Sequence, residues 1–552
     1  MLRKYTATGL PVLALLLTFT LCACDNNDTV GPGPDSGADI DAGSEVVPSC
    51  EESDEAVVLD TGNIEIVSLA ASKTSDRALV VYAVASTLDP SLFASVFDGS
   101  EFSAPVEIAP PPGISFLGAG VSACFAGPME RPIVALGGTD AQGHRNLMAV
   151  GDATGTFMTP VLVEDEPMDG AEYSAPYLVC SATRDRAVVS TTPATGTIWV
   201  DAWTGSSMLG PQQVVDPGWS AAVWDLSGFN QGDHVIAAYL QTNETMTSAE
   251  VKGLVFSDVQ WGSPSTLYTG AFLSFMRPTA AVAPLADRGL VVFPDEEGGL
   301  QAVRVTGDSF SARTALTDPG TTTGLGRIHF FRAVDRAAIV SETSAGAVQV
   351  VIDNGADFGA PVSIGTKYQG AGMHNSFTRF YSSPTSAEAF VLFDGDAQGN
   401  EVISLVPFDG TSFLAPVTLT DSAEYITAHG GYASSGDAAL FVFETMSEQD
   451  GVRAYGRVWA DGALRGAQRI DCGIPNHGMG DFQVIPAWAS DRFGVYIGHG
   501  GAGEEGTQLR VYDDTVPTTG TIFPLGEAVA LYSTDGILVV SVDGQDLIYE
   551  VR

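Results

Sequence analysis

Residues 76–105 read DRALVVYAVASTLDPSLFASVFDGSEFSAP. An acidic residue and an arginine, Asp76-Arg77, open a run rich in Val, Ala and Tyr. A second such run closes on Phe97-Asp98-Gly99, followed by Phe102 and Pro105. β-Branched and aromatic runs bounded by Asp, Gly and Pro are strands joined by tight turns. The pattern recurs along the chain. The acidic landmark returns as Glu130-Arg131, Asp185-Arg186, Asp233-His234, Asp287-Arg288, Asp335-Arg336, Glu388-Ala389, Asp437-Ala438, Asp491-Arg492 and Asp535-Gly536, at steps of 44 to 55 residues. The aromatic turn returns most clearly around Asn354-Gly355 with Phe358, and around Asp409-Gly410 with Phe413.

Each unit reads as four strands, A before the acidic landmark, B after it, C before the Asp-Gly and D after the Pro. In the first unit they are Glu65–Ala71, Ala78–Ala85, Leu92–Phe97 and Pro105–Ala109. About ten such units predict an all-β chain, a β-propeller of about ten four-stranded blades. One closed ring is favoured over two smaller ones. Residues 529–532, 537–542 and 547–551 supply A, B and C of a last unit without its D strand, and an orphan D-like strand, Ala56–Asp60, precedes the first. An N-terminal strand completing the last sheet is similar to the closure of known propellers, and it leaves few free edges.

The chain has 552 residues with 67 Asp+Glu against 25 Lys+Arg, a formal charge of −42. Such an acidic chain is a poor partner for nucleic acid or an anionic membrane surface. It has 62 Gly and 30 Pro, as many strand connections require, and its 45% hydrophobic content is that of a globular protein.

Residues 1–24, MLRKYTATGLPVLALLLTFTLCAC, combine a charged start (Arg3, Lys4), an apolar stretch too short to span a bilayer, and Leu21-Cys22-Ala23-Cys24. This resembles the lipobox signal of bacterial lipoproteins. The resemblance implies that residues 1–23 are removed and that Cys24 carries the lipid. The chain would then be exported and anchored in the cell envelope, at the outer membrane or surface of a Gram-negative bacterium. Residues 24–55, acidic and without an aromatic side chain, read as a flexible tether, and 56–552 as the propeller. A monomer is expected, touching the membrane through its lipid alone.

The repeated landmarks read as structural. The acid receives turn donors, the arginine pairs with a neighbouring blade, and the aromatic wedges between sheets. The Asp-Gly-x-x-Phe turn is loosely similar to the Asp-box of sialidase-type propellers, but Asp and Gly are adjacent here and no activity carries over.

Function is sought on the face bearing the variable B–C and D–A connections. Arg277, Arg327 and Arg379 stand near the starts of strand A in units 5, 6 and 7, and His429 holds the next equivalent place. His374, His429 and His477 fall in three successive D–A connections. Arginines at one level suit a carboxylate or sulfate; the histidines suit a transition metal. Both patterns also arise from local pairing in a carboxylate-rich protein. Asp394, Asp396, Asn400 and Glu401 alternate oxygen side chains around a Gly, somewhat like a Ca²⁺ loop. Cys124 and Cys180 occupy matching strand-A positions in adjacent units, which allows a disulfide in an exported protein. No catalytic motif stands in a suitable context. A binding or scaffold module for extracellular glycan or protein ligands is the leading expectation. A glycan-active hydrolase or lyase using the Arg/His cluster, and an envelope protein with a purely structural role, are the alternatives.

Overall fold

The computed structural model describes residues 50–552 apart from 53–55, 86–89, 118–119, 165–175, 192–195, 273–276, 322–325, 369–376, 398–399, 421–424, 448–450, 472–481, 487–491, 500–505, 514–515, 518–519, 524–525, 532–535 and 544. The described residues form strands and turns with no helix. Ten small antiparallel sheets follow one another as the blades of a ten-bladed β-propeller. Blade 1 consists of Ile64–Ala71, Ala78–Val84, Ser91–Phe97 and Val106–Glu107 as strands A to D. Its strand ends agree with the sequence reading to within a residue or two, and strand D is the shortest of the four.

The ring is single and closed. Val57–Thr61 pairs antiparallel with Asp546–Val551 and serves as strand D of blade 10, whose other strands are Gly526–Ala530 and Ile537–Asp543. Blade 1 then packs on blade 10. Ile64, Val80 and Tyr82 of the first share a cluster with Leu538, Val540 and Leu547 of the last. Upstream of the closing strand, Cys50–Glu52 pairs in parallel with Gly520–Phe523 in blade 9. Cys50–Glu52, which the sequence reading placed in the tether, is thus a strand of this sheet.

The core lies between blades. Strand B is apolar along nearly its whole length because both its faces are covered, one by each neighbouring blade; Ala78–Ala83 and Ala337–Val340 are buried. Each fully buried Val or Leu there contributes about 1.5–3 kcal/mol relative to exposure. The turn aromatics are the wedges. Phe102 of blade 1 meets Tyr549 of blade 10 edge-on at 4.8 Å, and Phe413 leans on Phe408 at 4.8 Å. In the C–D turns, Asp98 and Asp409 receive the backbone N–H groups two and three residues on, and Gly99 and Gly410 take φ of 106° and 90°, conformations that side chains disfavour.

The acidic landmarks tie consecutive blades together. Glu130 of blade 2 receives the hydroxyls of Ser72, Thr74 and Ser75 from blade 1 at 2.5–2.6 Å. Arg186 of blade 3 donates to Asp233 of blade 4, His234 of blade 4 meets Asp287 of blade 5, and Arg288 of blade 5 donates to Asp335 of blade 6. Blade 7 corrects the repeat alignment by one residue. Ser383 N donates to Glu388 O as Phe331 N does to Arg336 O, so Glu388 fills the arginine's place and Ala387 the acid's. Arg336, which meets no acid there, donates instead to Gly410 O at 2.8 Å.

Candidate functional site

The inner wall of the ring is built from the A strands, which approach one another from blade to blade. In blades 6 and 7 they are Arg327–Phe330 and Thr378–Ser382. Aromatic side chains pack between them. His329 lies flat against Phe380, with ring centroids 5.2 Å apart and planes 18° from parallel. Phe331 meets Phe380 edge-on at 5.3 Å.

Blade 8 supplies the opposite condition. Its strand A, Tyr425–Tyr432, carries Gly430-Gly431 where blades 6 and 7 carry Ile328-His329 and Phe380-Tyr381. A Cβ at Gly430 would come within 2.6 Å of Phe441, and one at Gly431 within 3.2 Å of Val484. The glycines let the blades close up behind a notch in the wall.

Beside the notch lies a concavity of about 430 Å³, open to solvent and spanning the A strands of blades 6 to 9. His329, Arg332, Phe380, Tyr381, Ser382 and Tyr432 contribute to its lining. The described lining residues include no carboxylate. That is notable in a chain with 67 acidic residues.

Register settles the arginine alignment. Arg327 pairs with Val340, Arg379 with Leu392 and His429 with Val442, equivalent positions in blades 6, 7 and 8. The same position in blade 5 holds Thr279, opposite Val292. Arg277 is two residues earlier and exposed, outside the strand, so the expected triad of arginines is not at one level. Arg327 is exposed and donates to Thr378 O at 3.4 Å. The Arg379 guanidinium sits against the His429 imidazole and over the ring of Phe377, 5.7 Å from its centroid. Both residues stand one position above the concavity, at the D–A end of their strands.

Burial, reinforced by Arg379, lowers the His429 imidazole to about 3, and burial reinforced by Arg327 lowers His329 to about 4. Both rings are neutral near pH 7. They therefore add no positive charge beside the guanidinium groups.

His374, His477 and Cys24 lie outside the described residues, as does the side chain of Asn400. Among the described residues no three His, Cys, Asp or Glu side chains are grouped to hold a metal. The B–C hairpin of blade 7 pairs Asp396 with Glu401 and leaves Asp394 two residues behind on the same face. Lys367 Nζ reaches this face, 3.4 Å from Asp394 Oδ1 and 3.1 Å from Glu342 Oε2. Of the four residues of the expected Ca²⁺ loop, Asp394 thus has a protein ammonium beside it.

The structure contains a disulfide between Cys124 and Cys180, Cα atoms 6.0 Å apart. It joins the inner strands of blades 2 and 3. The two cysteines are staggered by one residue. Cys124 pairs with Ile133, two after Arg131, and Cys180 with Ala187, one after Arg186.

Sequence reading missed His329, Arg332, Phe380, Tyr381 and Tyr432. The available signal was Gly430-Gly431 inside a strand, a mark of close backbone approach or of a missing side chain.

No protein-family model matches the chain, and no curated protein does. Solved structures match with low similarity. The BP39L lectin from Burkholderia pseudomallei is 14% identical with a TM-score of 0.36, over 66% of this chain and 100% of its own. The WD40 domain of SCAP from fission yeast is 10% identical with a TM-score of 0.36, over 90% and 97%. A post-proline cleaving enzyme from Rickettsia typhi is 11% identical with a TM-score of 0.31, over 70% of this chain and 57% of its own. The ten-bladed assignment rests on the strand pairing described above.

Proposed function

We propose that the protein is an exported, lipid-anchored binding module that presents the concavity of blades 6–9 to an extracellular glycan or protein ligand. The observation that carries this reading is the concavity itself. Half-buried aromatic rings, a guanidinium and a hydroxyl converge on a solvent-open recess of ligand size, and small-molecule recesses run about 300–1,000 Å³. Cys24 would carry the lipid, and residues 25–49 would hold the propeller away from a membrane its charge avoids.

Two measurements test this. Labelled palmitate should enter the wild-type chain in a bacterial host and be absent from Cys24→Ser. Glycan-array binding by the detergent-solubilised chain, with and without Ca²⁺, should give a defined set of ligands. Silence on the array together with an empty cross-linking experiment on intact cells would refute the binding role.

A further inference from the structure

The joint between blades 2 and 3 is made differently from the joints on either side of it. There, the acidic landmark of the later blade is met by a hydroxyl from the end of strand A of the earlier one. Ser72 Oγ donates to Glu130 at 2.5 Å between blades 1 and 2, and Ser181 Oγ donates to Asp233 at 2.7 Å between blades 3 and 4. In blade 2 that place is held by Ala126, which pairs with Arg131 as Ser72 does with Arg77 and Ser181 with Arg186. Ala126 has no hydroxyl to give Asp185. The arginine also falls short. Arg131 Nε stands 3.8 Å from Asp185 Oδ2, against 2.5 Å from Arg186 Nη1 to Asp233 and 2.6 Å from Arg288 Nε to Asp335. Arg77 is equally far from Glu130, at 3.8 Å, but the hydroxyls of Ser72, Thr74 and Ser75 hold that acid. Asp185 Oδ1 is buried and, among the described residues, receives no hydrogen bond.

Other contacts join blades 2 and 3. Ile133, Met148 and Val150 pack on Ala187, Val189 and Trp203. Gly127 N donates to Ser181 O at 2.8 Å, and Ser122 Oγ to Pro176 O at 3.0 Å. The Cys124–Cys180 bond ties the inner strands Ser122–Ala126 and Tyr177–Cys180. Apolar packing is non-directional, so it holds the blades together without fixing how one sits on the next. A covalent link between the inner strands supplies that constraint where the acid does not. Both cysteines are half-buried, not enclosed, so a small thiol can reach them.

We infer that the Cys124–Cys180 bond is a redox-sensitive latch: it stands in for the clasp that Asp185 does not make, and its reduction loosens the joint of blades 2 and 3 ahead of the joints held by Asp233 and Asp335. The inference is independent of any ligand in the concavity. The reductant is a dithiol. Its thiolate attacks the Sγ of one cysteine and breaks the S–S bond, and the other cysteine leaves as a thiolate that takes up a proton. The second thiol of the reductant then loses its proton and attacks the mixed disulfide. The reductant closes as a cyclic disulfide and the remaining cysteine is released as a thiol, two electrons having passed to the protein.

The test is amide hydrogen exchange read by mass spectrometry on the solubilised full chain, with and without dithiothreitol. Reduction should speed exchange in Ser122–Ala126 and Tyr177–Cys180 at least about tenfold, as a local opening does, and change Thr279–Val282 and Arg327–Phe330 of blades 5 and 6 by less than about twofold. Cys124→Ser/Cys180→Ser should show the fast exchange without reductant and respond no further to it. Ala126→Ser offers Asp185 the hydroxyl that Ser181 offers Asp233, and should shrink the effect of reduction on the two strands. Exchange unchanged by reduction, or quickened equally around the ring, overturns the inference. A response to reductant that persists in the double cysteine variant overturns it too, and an effect of reduction undiminished in Ala126→Ser shows that the bond does not replace the clasp.

Discussion

His329 and Phe380 form a stacked pair, 18° from parallel, between the inner strands of blades 6 and 7. The stack buries the imidazole and keeps it neutral. Titration followed by NMR should place the His329 midpoint near 4. Because the folded value lies below the usual 6.5, the stability that goes with the neutral ring is complete above pH 6.5 and is lost as the pH falls towards 4. Phe380→Ala should move the midpoint up towards 6.5. A midpoint already near 6.5 in the wild type would mean that the ring is solvated and the wall open.

Arg186 and Asp233 join blades 3 and 4 at 2.5 Å, with the Asp233 side chain 1% exposed. Asp233→Asn keeps the shape, and Asn tolerates the residue's φ of 65°. It leaves a poorly solvated guanidinium, so a loss of about 3 kcal/mol in denaturant unfolding is expected. Arg465→Ala, which breaks the exposed pair with Asp461, should cost about 0.5 kcal/mol or less. Equal effects at the two sites would show that the blade-to-blade acids do not hold the ring together.

Glu164, buried behind strand D of blade 2, receives Asn146 N at 2.7 Å and Asn146 Nδ2 at 3.1 Å. Burial nevertheless pushes its carboxyl up to about 7 from the usual 4.5. The folded state therefore holds a proton that the unfolded chain has released. Stability from this group is complete below pH 4.5 and declines as the pH rises towards 7, by on the order of 2–3 kcal/mol. Glu164→Gln should flatten that slope, read as the urea midpoint at pH 5 against pH 8. An unchanged slope would assign the pH dependence elsewhere.

Cys124 and Cys180 close a loop across 56 residues of sequence. The double variant Cys124→Ser/Cys180→Ser should lose about 4 kcal/mol on the chain-entropy account. A stability unaffected by the change or by reductant would contradict the bond.

Much of the fold was legible because each blade repeats the same local chemistry. Asp98 and Asp409 each hold a tight turn through their own neighbours, so Asp-Gly-x-x-Phe marks a C–D turn without tertiary information. The strand ends of blade 1 followed from that alone. Blade 7 was misread by one residue because Glu388 is acidic yet holds the arginine's place, a substitution visible only from the bond to Ser383. The equivalence of Arg327, Arg379 and His429 survived because strand A is regular there, whereas Arg277 fell outside the strand. The concavity itself was not legible. His329, Phe380 and Tyr381 read as ordinary strand residues, and their role depends on which side chains of the neighbouring blades they meet. That meeting is a property of the closed ring and not of any short stretch.

The most direct measurement is glycan-array and cross-linking capture by the solubilised full chain beside two variants, Arg332→Gln/Phe380→Leu in the concavity and Cys124→Ser/Cys180→Ser in blades 2 and 3. The account predicts that the first variant keeps its circular-dichroism spectrum and loses the ligands of the wild type, while the second keeps those ligands despite its lower stability. Ligands retained by the first variant would place recognition somewhere other than the inner wall of blades 6–9.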